Sequence, residues 1–247
     1  MRKCFSVFFI FSLTVLFSCQ QESVRIKHSG IAQAEIISSQ GTRVIIDAVT
    51  PTNLTSPVTK EDILTVTHTH NDHYLPQLVD EWAAEDILLK KGVIEKNGVK
   101  VTAIPAAHNS TDAITDEGST NYIILIETDG LRICHLGDIG QDHFTQEQLD
   151  QLGEIDICFT QTENTFSNMN MRNKKGFILI DELKPHIVIM THYQERNLEY
   201  AMENYPFLAG TGDVMEFRKK DIPDKTIFLI IDKSAPAYAK IYNLKSF

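Results

Sequence analysis

Three histidines and an aspartate crowd into six residues, His68-Thr69-His70-Asn71-Asp72-His73, directly behind the apolar run 63–67 (ILTVT). No other segment restricts the fold as tightly. A short apolar run of this kind reads as a buried strand. Side chains at i and i+2 of extended backbone point the same way, so His68 and His70 share one face. Asp72 and His73 follow where the chain leaves the strand and can face a second position beside the first. Neutral imidazole and carboxylate are the donors that Zn²⁺ takes readily. The chain must therefore end a buried strand at a place open to a cation.

Three further residues repeat the arrangement. His108 follows the apolar run 101–107, Asp138 follows 131–135 in His135-Leu136-Gly137-Asp138, and His192 follows 187–191 in Met190-Thr191-His192-Tyr193. Alone, each has an ordinary reading: a strand-end histidine is commonly a packing or surface residue, and Gly-Asp is commonly a turn. Their coincidence carries the argument, because four strand ends supply nitrogen and oxygen donors of compatible type.

The rest of the chain supports a layered fold. Strands are expected over 24–28, 34–38, 43–47 and 63–67, and a helix over 76–85. Hairpins are expected over 93–96 and 99–104 around Asn97-Gly98, and over 122–127 and 131–135 around Asp129-Gly130. Helices over 145–152, 176–183 and 198–205 then alternate with strands over 156–160, 187–191, 214–218, 227–231 and 238–242. Hairpins first, then alternating helix and strand, suit two packed sheets with helices outside. No linker divides residues 24–247, which are expected to form a single domain.

The 247 residues are 43% hydrophobic, which excludes a disordered tail, a collagen and a multi-pass membrane protein. The N-terminus reads separately. Arg2 and Lys3 precede a nearly unbroken apolar run at 4–17, shorter than the roughly 20 residues of a membrane span. This suits the core of an export signal. The run ends in Leu16-Phe17-Ser18-Cys19, which resembles a bacterial lipobox. That resemblance implies a signal peptide over 1–18, lipidation of Cys19 and a tether over 19–23. The protein is then expected at the cell envelope, on the periplasmic face or outer surface, held to the membrane by its lipid anchor. An unlipidated signal peptide or membrane-anchored N-terminus stays open. Removing the leader leaves 21 basic against 33 acidic residues, so the net charge falls from -10 to -12. With no basic run to offset that charge, no nucleic-acid partner is expected. Cys134 and Cys158 remain in strand-like runs, either as a disulfide or as two buried thiols.

The ordered set H-x-H-x-D-H, His, Asp, His resembles the metal signature of the metallo-β-lactamase-fold hydrolases. The likeness covers most of residues 24–243, and Asp47 matches a structural aspartate usual before the motif. It implies an α/β fold: an αββα sandwich of two mixed β-sheets flanked by helices, with the metal site at one edge. It further implies that His68, His70 and His108 hold one metal, that Asp72, His73 and His192 hold a second, and that Asp138 bridges them. The implied cofactor is two divalent ions, zinc first, with manganese or iron as alternatives. The implied reaction is hydrolysis by a hydroxide held between the metals. Asp72 is then a catalytic candidate that orients the hydroxide. His135 is a second one, facing substrate or supporting a ligand, and with Tyr193 and metal-bound water it is a candidate leaving-group acid.

Departures from the wider family narrow the substrate. Leu75 stands where thiolester- and many lactam-hydrolysing members carry Gly. His70 argues against redox di-iron members, which usually carry Glu there. Asp138 argues against a β-lactamase class that uses Cys. Segments 131–140 (LRICHLGDIG) and 184–193 (KPHIVIMTHY) are most similar to the branch holding ascorbate-6-phosphate lactonase and the N-acyl-phosphatidylethanolamine-hydrolysing phospholipase D. A small ester, lactone or phosphodiester is the expected substrate, and a lipid anchor would bring lipid-like molecules within reach. The polar segment 161–175 is either a substrate-contacting loop or an exposed variable one, with Phe166, Met169 and Met171 as an apolar lip or as anchors. His28 and His186 are expected at the surface or in structural roles, and His143 has no assigned role. The competing reading is a non-catalytic surface lipoprotein that uses metal to hold its fold as a scaffold.

Overall fold

The computed structural model describes residues 22–81 and 84–247. The expected signal peptide over 1–18, Cys19 and most of the tether over 19–23 lie outside the described residues.

Alternation along the strands builds the molecule. In β8 (Asn121–Thr128), Tyr122, Ile124 and Ile126 face one layer while Ile123 and Leu125 face another. β9 (Leu131–His135) and β10 (Ile157–Thr160) divide in the same way, with Ile133, Ile157 and Phe159 on the inner face and Cys134 and Cys158 on the outer. Strands this apolar on both faces need cover on both. A smaller sheet provides it on the inside, and helices on the outside.

The smaller sheet holds β1 (Val24–His28), β2 (Ala34–Ile37), β3 (Arg43–Ile46), β4 (Ile63–Thr65), β5 (Asp86–Leu88) and β13 (Val214–Phe217), in the order β13-β1-β2-β3-β4-β5. Its first three pairings are antiparallel, and β3-β4-β5 are parallel. The larger sheet adds β6 (Gly92–Lys96), β7 (Val99–Ala106), β11 (Ile187–Met190), β12 (Phe207–Ala209), β14 (Ile227–Ile230) and β15 (Lys245–Ser246). Its order is β15-β12-β14-β11-β10-β9-β8-β7-β6. Ile26, Ile36, Val44 and Ile63 of the first sheet pack with Ile124, Ile133, Phe159 and Ile189 of the second. Outside the larger sheet lie α2 (Gln146–Leu152), α3 (Lys175–Leu183), α4 (Glu195–Asn204) and α5 (Ala235–Ile241). Outside the smaller sheet, Val79 of α1 (Pro76–Glu81) packs on Ile45 and Leu64. This is the αββα arrangement of two mixed sheets expected from the sequence.

The parallel run β9-β10-β11 fixes the site. Ile133, Ile157 and Ile187 stand in register, so the three strands end along one edge. β7 is antiparallel to β8, which is antiparallel to β9, so β7 also ends there. Ligands in open α/β sheets gather outside such carboxyl ends.

Some expectations change. The segment 238–242 is not a strand: residues 238–241 belong to α5, and Tyr242 caps its end. Pro236 occupies its first turn, where a missing N–H costs nothing, and alanines at 235, 237 and 239 favour helix. The rings of Tyr238 and Tyr242 stack at 6.0 Å, a closeness that residues four apart reach on a helix and not along a strand. The two- and three-residue strands β5, β12 and β15 carry too little pattern to be read from sequence. Cys134 and Cys158 are cross-strand neighbours, and both are buried free thiols.

One buried ionic network braces the approach to β4. Arg43 donates to Asp62 at 2.9 and 2.7 Å and to Glu35 at 3.1 Å, and Glu35 also accepts from the Thr55 N–H and hydroxyl. Burial raises the Asp62 pKa, but hydrogen bonds from Arg43 and Thr59 outweigh it and hold the carboxyl below its usual value. Its stabilisation is therefore present at neutral pH and is lost as pH falls through the depressed folded pKa. Replacing Arg43 by Leu strands two buried carboxylates. The expected loss is about 3–5 kcal/mol in urea unfolding at pH 7. At a pH low enough to protonate Asp62 in both proteins, the gap should narrow; an unchanged gap would deny the ionic origin.

Candidate metal centre

Asp47 sits at the end of β3 with φ 48° and is fully buried. Its carboxylate accepts from the Thr67 N–H at 2.7 Å and hydroxyl at 2.6 Å, and from His73 Nδ1 at 2.7 Å. This explains why β4 ends at Thr65 although the apolar run continues: the Thr67 N–H bonds the Asp47 side chain instead of a neighbouring strand, while its carbonyl accepts from the Tyr122 N–H of β8 at 2.8 Å. With Nδ1–H committed to Asp47, His73 presents Nε2 to the site. The Thr67 hydroxyl also meets His68 Nδ1 at 3.1 Å, which leaves His68 Nε2 facing the same way.

Asp138 arrives by a turn behind β9. Gly137 holds φ 59°, and a Cβ there would stand 2.4 Å from Asn121 Oδ1. A Cβ on Gly140 would fall 1.9 Å from the His108 carbonyl oxygen. These close approaches bring the Asp138 turn against the His108 segment. Asn121 donates to Leu136 O at 2.8 Å and accepts from the Asp138 N–H at 3.1 Å. The Ser167 hydroxyl donates to Asp138 O at 3.0 Å, and Asn164 Nδ2 donates to Asp138 Oδ2 at 2.5 Å.

The two carboxylate oxygens of Asp138 then divide the histidines. Oδ2 lies 3.6 Å from His68 Nε2 and 3.7 Å from His108 Nε2. Oδ1 lies 3.3 Å from His73 Nε2 and 3.4 Å from His192 Nε2. Two donor groups result, one of His68, His70, His108 and Asp138, the other of Asp72, His73 and His192, each with its donor atoms within 4.8 Å of one another. All seven residues singled out as ligands in the sequence thus fall in these groups. His68 Nε2, His108 Nε2 and Asp138 Oδ1 are buried without hydrogen-bond partners. Orphaned donors of this kind, converging on one point, fit divalent cations.

Burial, then the charge of His73, pulls the His68 pKa down to about 3. Burial would lower His73 too, but the Asp47 and Asp138 carboxylates raise it to about 10. For Asp138, burial favours the acid, yet the imidazoles of His108 and His73 beside it hold it far below the usual carboxylate range. His192 is lowered, first by burial.

His135 is not where a substrate-facing acid would be. It shares the inner face of β9 with Leu131 and Ile133, because alternation sends residues 131, 133 and 135 the same way. Its ring stacks on Phe159 at 5.5 Å, Nε2 meets Ala32 O at 2.9 Å, and Nδ1 accepts from the Gly137 N–H at 3.0 Å. Burial lowers its pKa to about 4. It braces the turn that carries Asp138. Tyr193 packs in the helical layer, and burial lifts its phenol well above its usual value, which makes it a poor proton donor. His28 is buried against Ile31 O, while His143 and His186 pair with Glu182 and Glu154 nearer the surface. In the 161–175 loop, Met169 is a buried anchor and Phe166 stands 78% exposed. Asn164, in the segment expected either to contact substrate or to be an exposed loop, holds Asp138. Ser167 lies in the same segment as Asn164, and the only sequence signal for Thr67 and Asn121 is that they are polar residues bordering apolar runs.

A two-sheet sandwich with a His/Asp centre at its edge defines a class of metal-binding fold. A family model of the beta-lactamase superfamily domain matches residues 25–192, a span that includes all seven donors. The chain belongs to that superfamily. A UPF0173 metal-dependent hydrolase of Thermococcus onnurineus is 27% identical over 237 residues, covering 84% of this chain and 96% of its own. A second, from Thermococcus kodakarensis, is 26% identical over 200 residues, with 69% and 84% covered. Among solved structures, a Thermotoga maritima protein of the metallo-beta-lactamase superfamily superposes with a TM-score of 0.62 at 21% identity, over 85% of this chain and 100% of its own. The fold is the same.

Gly140→Ala tests the close approach. Its Cβ meets backbone, which cannot swing aside, so His108 must move. Zinc affinity should fall by roughly 10-fold or more, the range for lost support of a ligand, while the far-ultraviolet spectrum stays native. Unchanged affinity by competitive chelator titration would show that His108 does not need this contact.

Proposed function

We propose that the protein is a metal-dependent hydrolase that holds two divalent ions, zinc first, with manganese or iron as alternatives. The reading rests on one observation: the Asp138 carboxylate turns one oxygen to each histidine group. His68, His70 and His108 would hold one ion, and Asp72, His73 and His192 the other, with Asp138 between them. Ions so placed supply Lewis acidity and activate water at neutral pH.

The chain's own residues do the remaining work. Asp47 keeps the proton of His73 on Nδ1 and so fixes the direction of Nε2. Asn164 and Ser167 hold Asp138 by side chain and backbone. Asp72, half exposed beside His73, is positioned to accept a hydrogen bond from attacking water. The substrate is a small ester, lactone or phosphodiester, as the resemblance of 131–140 and 184–193 to the lactonase and phospholipase branch suggests. Export through a signal peptide and lipidation at Cys19 would put the enzyme on a membrane surface at the cell envelope, near lipid-like substrates.

The test uses residues 20–247 with metals counted by elemental analysis. Two metals per chain are expected, with hydrolysis of at least one among an aryl ester, a lactone and bis-p-nitrophenyl phosphate. Asp138→Ala should reduce that turnover by roughly 100-fold or more, and Asn164→Ala by roughly 10-fold, the scale of losing a ligand's support. Metals retained with no turnover of any of the three would favour the scaffold reading instead.

A further inference from the structure

Hydrophobic side chains left exposed beside a reactive centre are informative. Among the described residues, seven large hydrophobic side chains are markedly exposed, and two of them, Leu89 and Phe166, line the cleft over the histidines. Two cavities meet there, of about 510 and 410 Å³, sharing Thr69 and His70. The larger is walled on its apolar side by Val66, Tyr74, Leu89 and Tyr122. The smaller runs past Asp72 and Asp138 under Phe166.

Phe166 is held there by construction. Asn164 Nδ2 donates to Asp138 Oδ2, while Asn164 Oδ1 accepts from the Phe166 N–H at 2.9 Å. One amide thus links the central carboxylate to the backbone of the aromatic. A bridge between Asn164 and Met169, with Met169 buried, closes the hairpin that carries Phe166. Its ring lies 6.2 Å from that of His70 and remains 78% exposed. An aromatic side chain on an anchored backbone, open to solvent beside His70, offers area to an apolar group.

The charge of the cleft is equally selective. Among the described residues, neither cavity is lined by a Lys or Arg, and the lining carboxylates are Asp72, Asp112 and Asp138. Lys175, behind the Asp138 turn, is spent on Gly140 O and Asp142. With Asp72 and Asp138 taken as metal ligands, Asp112 is the lining carboxylate left over, and a second anionic group on a substrate, beyond the bond being cleaved, would find no cationic side chain to pair with.

We infer that this site selects neutral carboxylic esters with an apolar arm laid against Phe166, and rejects those whose arm ends in an anion. The inference rests on the metallohydrolase reading and narrows its substrate class. Phe166 is the specificity-determining residue, and Asn164 positions it.

The experiment reads binding, so it does not depend on turnover. Zinc-loaded protein is titrated calorimetrically with acetohydroxamate, hexanohydroxamate and adipic monohydroxamate, which share a metal-binding head and differ only in the arm. Hexanohydroxamate should bind at least about tenfold tighter than acetohydroxamate, a step that a few buried methylenes readily supply. Adipic monohydroxamate should gain nothing over acetohydroxamate. Phe166→Ala should reduce the chain-length preference to less than about threefold, and Phe166→Leu should keep most of it. Equal binding of all three, tighter binding of the adipic compound, no hydroxamate binding to zinc-loaded protein, or a preference untouched in Phe166→Ala would each overturn the inference. Protein that takes up no zinc would overturn the metallohydrolase reading itself, and the inference with it.

Discussion

A buried carboxylate with four imidazoles gathered around it is the constraint on which the rest of the structure depends. Asp138 is 2% exposed, and four ring nitrogens lie within 3.3–3.7 Å of its two oxygens. Burying a charge is costly unless it is paired and hydrogen-bonded. The surroundings answer that cost in layers: Asn164 on one oxygen, Ser167 and Asn121 on the backbone, and the imidazoles beyond. The orphaned nitrogens of His68 and His108 show that the protein alone leaves the arrangement incomplete. A site of this kind couples metal affinity to folding, because the ligands meet only in the native state.

The sandwich exists, in this view, to hold strand ends in one line. β4 delivers the motif, β7 His108, β9 Asp138 and β11 His192. The strands beneath are apolar on both faces, so each is fixed by packing above and below and cannot slip register without exposing its core. Chemistry is then left to the loops, where a single hairpin both clamps Asp138 and raises Phe166 over the cleft. Asp47 plays the corresponding role on the other sheet, taking the Thr67 N–H that a longer β4 would have given to a neighbour. The polar supports lie at strand ends because only there does the backbone release bonds for side chains to accept.

Much of this was legible beforehand, and the gaps have physical causes. The donor set could be read because its residues are chemically uncommon in combination and each follows an apolar run. The strands of both sheets could be read where alternation or unbroken apolar stretches ran four residues or longer. The C-terminal helix resembles a strand in sequence because tyrosines at 238 and 242 share a face at either period, and Pro236 is the local mark of a helix start. Of the two roles open to His135, facing substrate or supporting a ligand, the inward face of β9 leaves the second, because position 135 shares its side with Leu131 and Ile133. Asn164 was noticed for its loop, but its partner lies 26 residues away.

The sequence by itself determined the chemistry: which seven side chains offer lone pairs, that they follow buried strands, and that the fold needs two layers of sheet with helices outside. Tertiary structure decided their division. Which oxygen of Asp138 faces which histidine, which His73 nitrogen is held by Asp47, and which aromatic overlooks the cleft all depend on contacts between segments distant in sequence. Residue type and period are local properties that a chain carries with it. The meeting of strand ends, and the tautomers and orientations that follow, arise only when packing has fixed the register of every strand at once.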